Sequence, residues 1–219
     1  MQTTVSDPST RLLVAIDSDD PLRDDYLRLP QTDTTQRFGF DIDRLAVRVL
    51  QPNQTGDMVK AMNSAVRPFV DQDDLIIGMV NDDHRFRTKG WDKRVAETLK
   101  RPGIAYGDDL FQGSKLVCGG VFINAPIVRA LGWYCLPTCS HLFVDNAWGV
   151  LGMTMDRLTY LPDVVIEHLH PFAGKAEWDD RYEAANNQGV IDADNLAYHE
   201  WRDGGQMRRD VARVLRAIA

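Results

Sequence analysis

The sequence predicts an α/β fold, with a mainly parallel sheet and helices on both faces. Two observations carry that prediction. Apolar runs of strand length alternate with segments of helical spacing along the chain, and several of the runs stop in acidic turns.

Arg11 to Ile16 (RLLVAI) is a short apolar run that breaks at Asp17-Ser18-Asp19-Asp20-Pro21, so it reads as a buried strand ending in a loop. Leu45 to Leu50 is a second strand, closed by Pro52, Asn53 and Gly56. Met58, Met62, Ala65, Val66 and Phe69 then recur at helical spacing. Leu75 to Val80 is a third strand ending in Asn81-Asp82-Asp83, and Trp91 to Leu99 is a helix stopped by Pro102 and Gly103. Another strand ends at Tyr106, before Asp108 and Asp109. Lys115 to Ile123 is strand-like, with Asn124 as cap and Pro126 in the first turn of a helix through Leu131. Asp145 to Leu151 reads as a short helix, Leu158 to Ile166 as a strand, and Met207 to Ile218 as an amphipathic helix. With no internal repeat or low-complexity linker, 1–219 reads as one domain, a core over 11–180 and a helical segment over 181–219.

Composition narrows the function. The chain has 219 residues, 44% hydrophobic and 26% charged, enough to bury a core. A net charge of −7 argues against general polyanion binding. No apolar run approaches the roughly 20 residues that span a bilayer, and the first residues lack a signal-peptide core, so a cytoplasmic protein with no membrane span is expected. Three cysteines suit a reducing compartment, and Cys135, Cys139 and His141 lack the second ligand pair of a zinc framework.

Ligands of such sheets bind beyond the carboxyl ends of the strands. Three strand ends carry acidic groups there: Asp17, Asp19 and Asp20; Asp82 and Asp83; Asp108 and Asp109. Each group alone is compatible with a solvated turn. Gathered at one edge they would repel unless a cation sits among them, and Mg²⁺ or Mn²⁺ carrying a diphosphate fits hard oxygen ligands.

Taken in order, these segments resemble the GT-A glycosyltransferases, in particular the family 2-like members of bacteria and their phages, over about Arg11 to Asp180. LLVAIDSDDP resembles the strand whose terminal acid, here Asp17, faces the nucleotide base. QPNQTGDMVKAMNSAV, containing Lys60, resembles the Asn-Gly segment and the helix after it. LIIGMVNDDHRF resembles the strand of the Asp-x-Asp type motif, with Asn81 at its first position; the resemblance makes Asp83 the metal ligand and Asp82 a ribose or indirect metal contact. LVCGGVFINAPIVRALGW, with Gly120, resembles the segment lining the donor sugar. HLFVDNAWGVLG resembles the segment supplying the catalytic base of inverting members, here Asp145. YLPDVVIEHLHP resembles the late strand that delivers a histidine to the metal, and the family spacing favours His170 over His168. Lys175, in GKAEWDD, is then placed to reach the diphosphate.

The resemblance implies a metal-dependent transfer of sugar from a nucleotide-sugar to an acceptor, which the sequence leaves open among a DNA base, a protein and a glycan. The alternative is a catalytically inactive nucleotide-sugar-binding domain of the same fold. Asp145 is equally suited to cap a helix, and Trp133 and Tyr134 fit the core better than an acceptor platform. The family also opens with a central strand ahead of the one matched to LLVAID. MQTTVSDPST has no apolar run and reads as the end of a preceding helix, so the first central strand is expected to be missing.

Overall fold

The computed structural model describes residues 4–29, 44–51, 57–118, 120–178 and 180–219. The turn residues Pro52, Asn53 and Gly56 lie outside that set. Strand β1 (Leu12–Ile16) pairs in parallel with β2 (Leu45–Val49) in a two-stranded sheet. A second sheet has five strands, ordered β3 (Ile76–Met79), β6 (Val121–Asn124), β5 (Ile104–Asp108), β7 (Leu158–His168) and β4 (His84–Phe86). Among the described residues no ladder joins β1 to β3. The helices are α1 (Arg23–Arg28), α2 (Met58–Val66), α3 (Trp91–Thr98), α4 (Ala125–Leu131), α5 (Val144–Thr154), α6 (Asp180–Ala185), α7 (Gln188–Asp203) and α8 (Gln206–Ala217). Among the described residues, no helix is long and apolar enough to cross a membrane.

The fold is α/β, but the larger sheet is mixed rather than mainly parallel. Of its pairings only β5 with β7 is parallel; β3–β6, β5–β6 and β4–β7 are antiparallel. The reason lies in the connections. A parallel neighbour needs a crossover, usually helical, and β5 reaches β6 through a loop holding only the 3₁₀ turn Gly113–Lys115. The chain therefore reverses. Between β5 and β7 run α4 and α5, and there the strands are parallel. An apolar run reports burial on both faces and carries no direction.

Helices do cover both faces. The period-two alternation of strands sends Ile104, Tyr106, Val121 and Ile123 into one core, shared with residues of α2, α4, α5, α7 and α8. Ala105, Phe122, Leu161, Val164 and Ile166 point the other way, against Trp91 and Val95 of α3. Burying a side chain such as Ile104 or Ile123 fully is worth roughly 1.5–3 kcal/mol, so these strands are held from both sides.

Two local readings are corrected. Residues 4–10 are not the end of a helix; they strap across α3. The Asp92 carboxylate accepts hydrogen bonds from the backbone N–H of Ser6 and Asp7 and from the Thr10 hydroxyl, and Val5 is buried beside Trp91. Asn124 stands before α4 without capping it. Its amide instead accepts from Gly103 N–H and donates to the Leu99 carbonyl, closing the turn between α3 and β5.

Candidate metal centre

The antiparallel ladder of β4 and β7 sets His84 directly opposite His168, and paired residues share a face. Their rings stack with centroids 4.3 Å apart. Asp83 immediately precedes β4, and its carbonyl accepts from Leu169 N–H at 2.9 Å, which fixes the turn. The carboxylate sits between the rings. Oδ2 is 2.9 Å from His168 Nε2, and Oδ1 is 3.1 Å from His84 Nδ1. The Tyr182 hydroxyl of α6 donates to Oδ2 at 2.5 Å. Burial alone would raise the Asp83 pKa, but the hydrogen bonds with His168, His84 and Tyr182 outweigh it and hold the carboxyl well below the usual range.

One ligand atom from each of Asp83, His84 and His168 lies within 4.8 Å of the others. The three residues could hold a cation between them. His84 Nδ1 faces both the Asp83 carboxylate and, at 3.2 Å, the Asn81 N–H. His168 Nδ1 is buried without a hydrogen-bond partner.

His170, the metal ligand expected from the family spacing, stands one step out. The strand ends at His168, so the two-residue periodicity that would have aimed both imidazoles alike is broken. His170 Nδ1 accepts from Phe172 N–H at the start of the turn Pro171–Ala173, and its ring meets His168 edge-on at 4.8 Å. Burial, followed by the His168 charge, lowers its pKa. It borders the cluster without joining its ligand atoms. His84, which joins Asp83 and His168 in the cluster, has no signal in the sequence, because β4 is only three residues long and has no pattern of its own.

Asp145 lies half-buried in the first turn of α5. It is not the cap: Phe143, at φ 61°, takes that position, and the Asp145 carboxylate accepts from Asn146 N–H. Burial raises its pKa, the direction a general base near neutral pH needs. Asp109 joins the cluster to Cys118: His168 N–H donates to the Asp109 carbonyl, and the Cys118 thiol donates to Asp109 Oδ2 at 3.1 Å. Burial and Asp109 push the Cys118 pKa up, and the Asp145 charge adds to them.

The remaining acids divide by role. Asp109 is fully buried and accepts from the N–H groups of Phe111, Gln112 and Gly113, so it shapes a loop and is no ligand. Asp82 is exposed, its carbonyl bound to Arg85. Asp17 closes β1 in the other sheet; burial, then Asp19 and Asp20, raise its pKa. Lys60 is exposed in the first turn of α2, whose Val59 N–H donates to the Ser140 carbonyl ahead of α5. Lys175 pairs with Glu167 at 2.9 Å, and Glu167 also binds Arg87. Gly120 is buried at φ +68°, where an added Cβ would lie 2.8 Å from Ile166 Cδ1. Its identity follows from backbone and packing.

Trp133 and Tyr134 belong to the core, as do Cys135 and Cys139. The exposed aromatics lie elsewhere. Phe111 and Phe172 each stack with His170, and Trp178 meets Phe172 edge-on at 4.8 Å. They border the metal centre. A cavity lined by Arg101, Pro102, Asp156 and Arg157 opens at the amino ends of β5 and β7, away from the cluster at the other end of that parallel pair. The carboxyl ends are where α/β sheets take ligands, so the cluster is the stronger candidate.

The chain matches no family model and no curated protein.

Proposed function

We propose that this chain is a metal-dependent glycosyltransferase, using Mn²⁺ or Mg²⁺ to move a sugar from a nucleotide-sugar to an acceptor of the DNA-base, protein or glycan class. The observation that carries the reading is the pairing of two unlike groups. An ionised Asp83 bridges the ring nitrogens of His84 and His168, and a second carboxyl, Asp145, has its pKa raised by burial and adds its charge to the field at Cys118, the thiol bonded to Asp109.

In this reading the sugar–oxygen bond to the diphosphate breaks as the acceptor oxygen bonds to the same sugar carbon. Asp145 takes the acceptor proton. Asp83, His84 and His168 would hold the cation, which neutralises charge on the departing diphosphate. Lys175 lies within reach of that region, with its Nζ 3.5 Å from the Leu110 carbonyl. Asp17 and Lys60 are assigned to the nucleotide by the resemblance alone, as are Asp82 and Gly120. Among the described residues no ladder bridges the break between β1 and β3, and the resemblance would put the family's first strand there.

That same break favours the second reading, a domain that binds nucleotide-sugar without turnover. Thermal-shift screening of nucleotide-sugars with and without Mn²⁺ tests both, because a ligand at about 100 times its Kd adds roughly 2.7 kcal/mol. A shift that needs Mn²⁺ and is lost in Asp83→Asn supports either form; no shift with any nucleotide-sugar rejects both.

A further inference from the structure

We infer that the Asp83–His84–His168 cluster is selective for a first-row transition cation over Mg²⁺, and that Tyr182 holds its carboxylate in position. The inference rests on the metal of the proposed function, but not on sugar transfer.

The ligand set decides the selectivity. Two of the three atoms are imidazole nitrogens, brought together by the His84–His168 register. Mg²⁺ demands oxygen ligands and keeps its waters, whereas nitrogen ligands favour Zn²⁺ and Co²⁺, with Mn²⁺ weaker in the Irving–Williams order. One carboxylate with two histidines leaves coordination positions for water or a diphosphate oxygen.

Tyr182 supplies the second half. Its hydroxyl donates to Asp83 Oδ2, the oxygen already engaged by His168 Nε2. Oδ2 has two lone pairs, so a cation that replaces the His168 contact there leaves the phenol's hydrogen bond in place, and ligating carboxylates are usually held by such a bond. Tyr182 is therefore a positioning residue for Asp83. It also meets Trp178 edge-on at 5.9 Å.

The test is titration of the full chain with ZnCl₂, CoCl₂, MnCl₂ and MgCl₂ by calorimetry, without nucleotide or acceptor. The Co²⁺ visible spectrum reports nitrogen ligation. Binding at one equivalent is expected in the order Zn²⁺ and Co²⁺, then Mn²⁺, with Mg²⁺ at least about 100-fold weaker than Co²⁺. His84→Ala should weaken Co²⁺ binding by about 10–100-fold or more, and His84→Gln, which keeps size, should do the same if folding is a concern. Tyr182→Phe should weaken Zn²⁺ and Co²⁺ binding by about 10-fold while the Co²⁺ spectrum keeps the same nitrogen ligation. Equal affinity for Mg²⁺ and Co²⁺, or a histidine variant that binds Co²⁺ normally, overturns the selectivity. Unchanged or tighter Zn²⁺ binding by Tyr182→Phe overturns the positioning role. If the ions bind as stated and no sugar is ever transferred, the function falls and this inference stands.

Discussion

Asp83 and Asp145 are both shielded carboxyls, yet their surroundings drive them apart. Asp83 is surrounded by groups that hydrogen-bond to its charged form; Asp145 has only its own N–H and that of Asn146, which do not offset burial. A group kept anionic suits a cation, and one kept basic suits a proton. Asp145→Asn preserves size but cannot accept a proton, so turnover should drop by roughly 10²–10⁴-fold while thermal stability and nucleotide-sugar binding hold, as steady-state kinetics and calorimetry would show. Because the Asp145 pKa is raised, the acid limb of the rate profile should lie above the usual carboxylate range and disappear in the variant. Gly120→Ala separates packing from chemistry. With φ at +68° and Ile166 Cδ1 in the way, it should cost on the order of 1–3 kcal/mol in denaturant unfolding. A folded variant of normal stability that loses nucleotide-sugar binding would return Gly120 to the donor site.

At the scale of elements, the polar pins do as much as the apolar faces. Asp194 of α7 is buried and accepts from the N–H groups of Ser140, His141 and Leu142, tying down the loop that leads to α5 and Asp145. Asp194→Ala leaves those donors without their carboxylate, a loss on the order of 3 kcal/mol, and should lower turnover through the misplaced loop; urea unfolding and kinetics on one preparation check both. The same elements show what can be read from a sequence. β1, α2 and α3 were legible because their apolar spacing is local. The reversal between β5 and β6 was not, since strand direction depends on how the chain connects the strands. Asp83 was legible from an acidic strand end. His84 was not, because its role arises only when β4 pairs with β7 and sets it against His168, a contact 84 positions away in sequence. Trp133 and Tyr134 were legible as core residues, whereas the exposed Phe172 and Trp178 sit in a segment without strand or helix periodicity and gave no signal.

For the molecule as a whole, acid should be the weak side. Burial works against the Asp109 and Asp194 charges, but the N–H groups around each outweigh it and hold both pKa values below the ordinary carboxylate range. A depressed folded pKa gives stability that is full above the unfolded value and lost as pH falls through the folded one. Melting temperature should therefore hold from neutrality down to the ordinary carboxylate range and fall below it, with Asp194→Asn flattening the fall. The cluster lies where β4 pairs with the carboxyl end of β7. The most direct test of the proposed assignment is release of nucleoside diphosphate from a panel of nucleotide-sugars in the presence of Mn²⁺. A glycosyltransferase should release it slowly to water even without acceptor, lose the release on chelation, and lose it in both Asp83→Asn and Asp145→Asn. Release that persists in both variants, or no release from any nucleotide-sugar that the protein binds, would contradict the assignment.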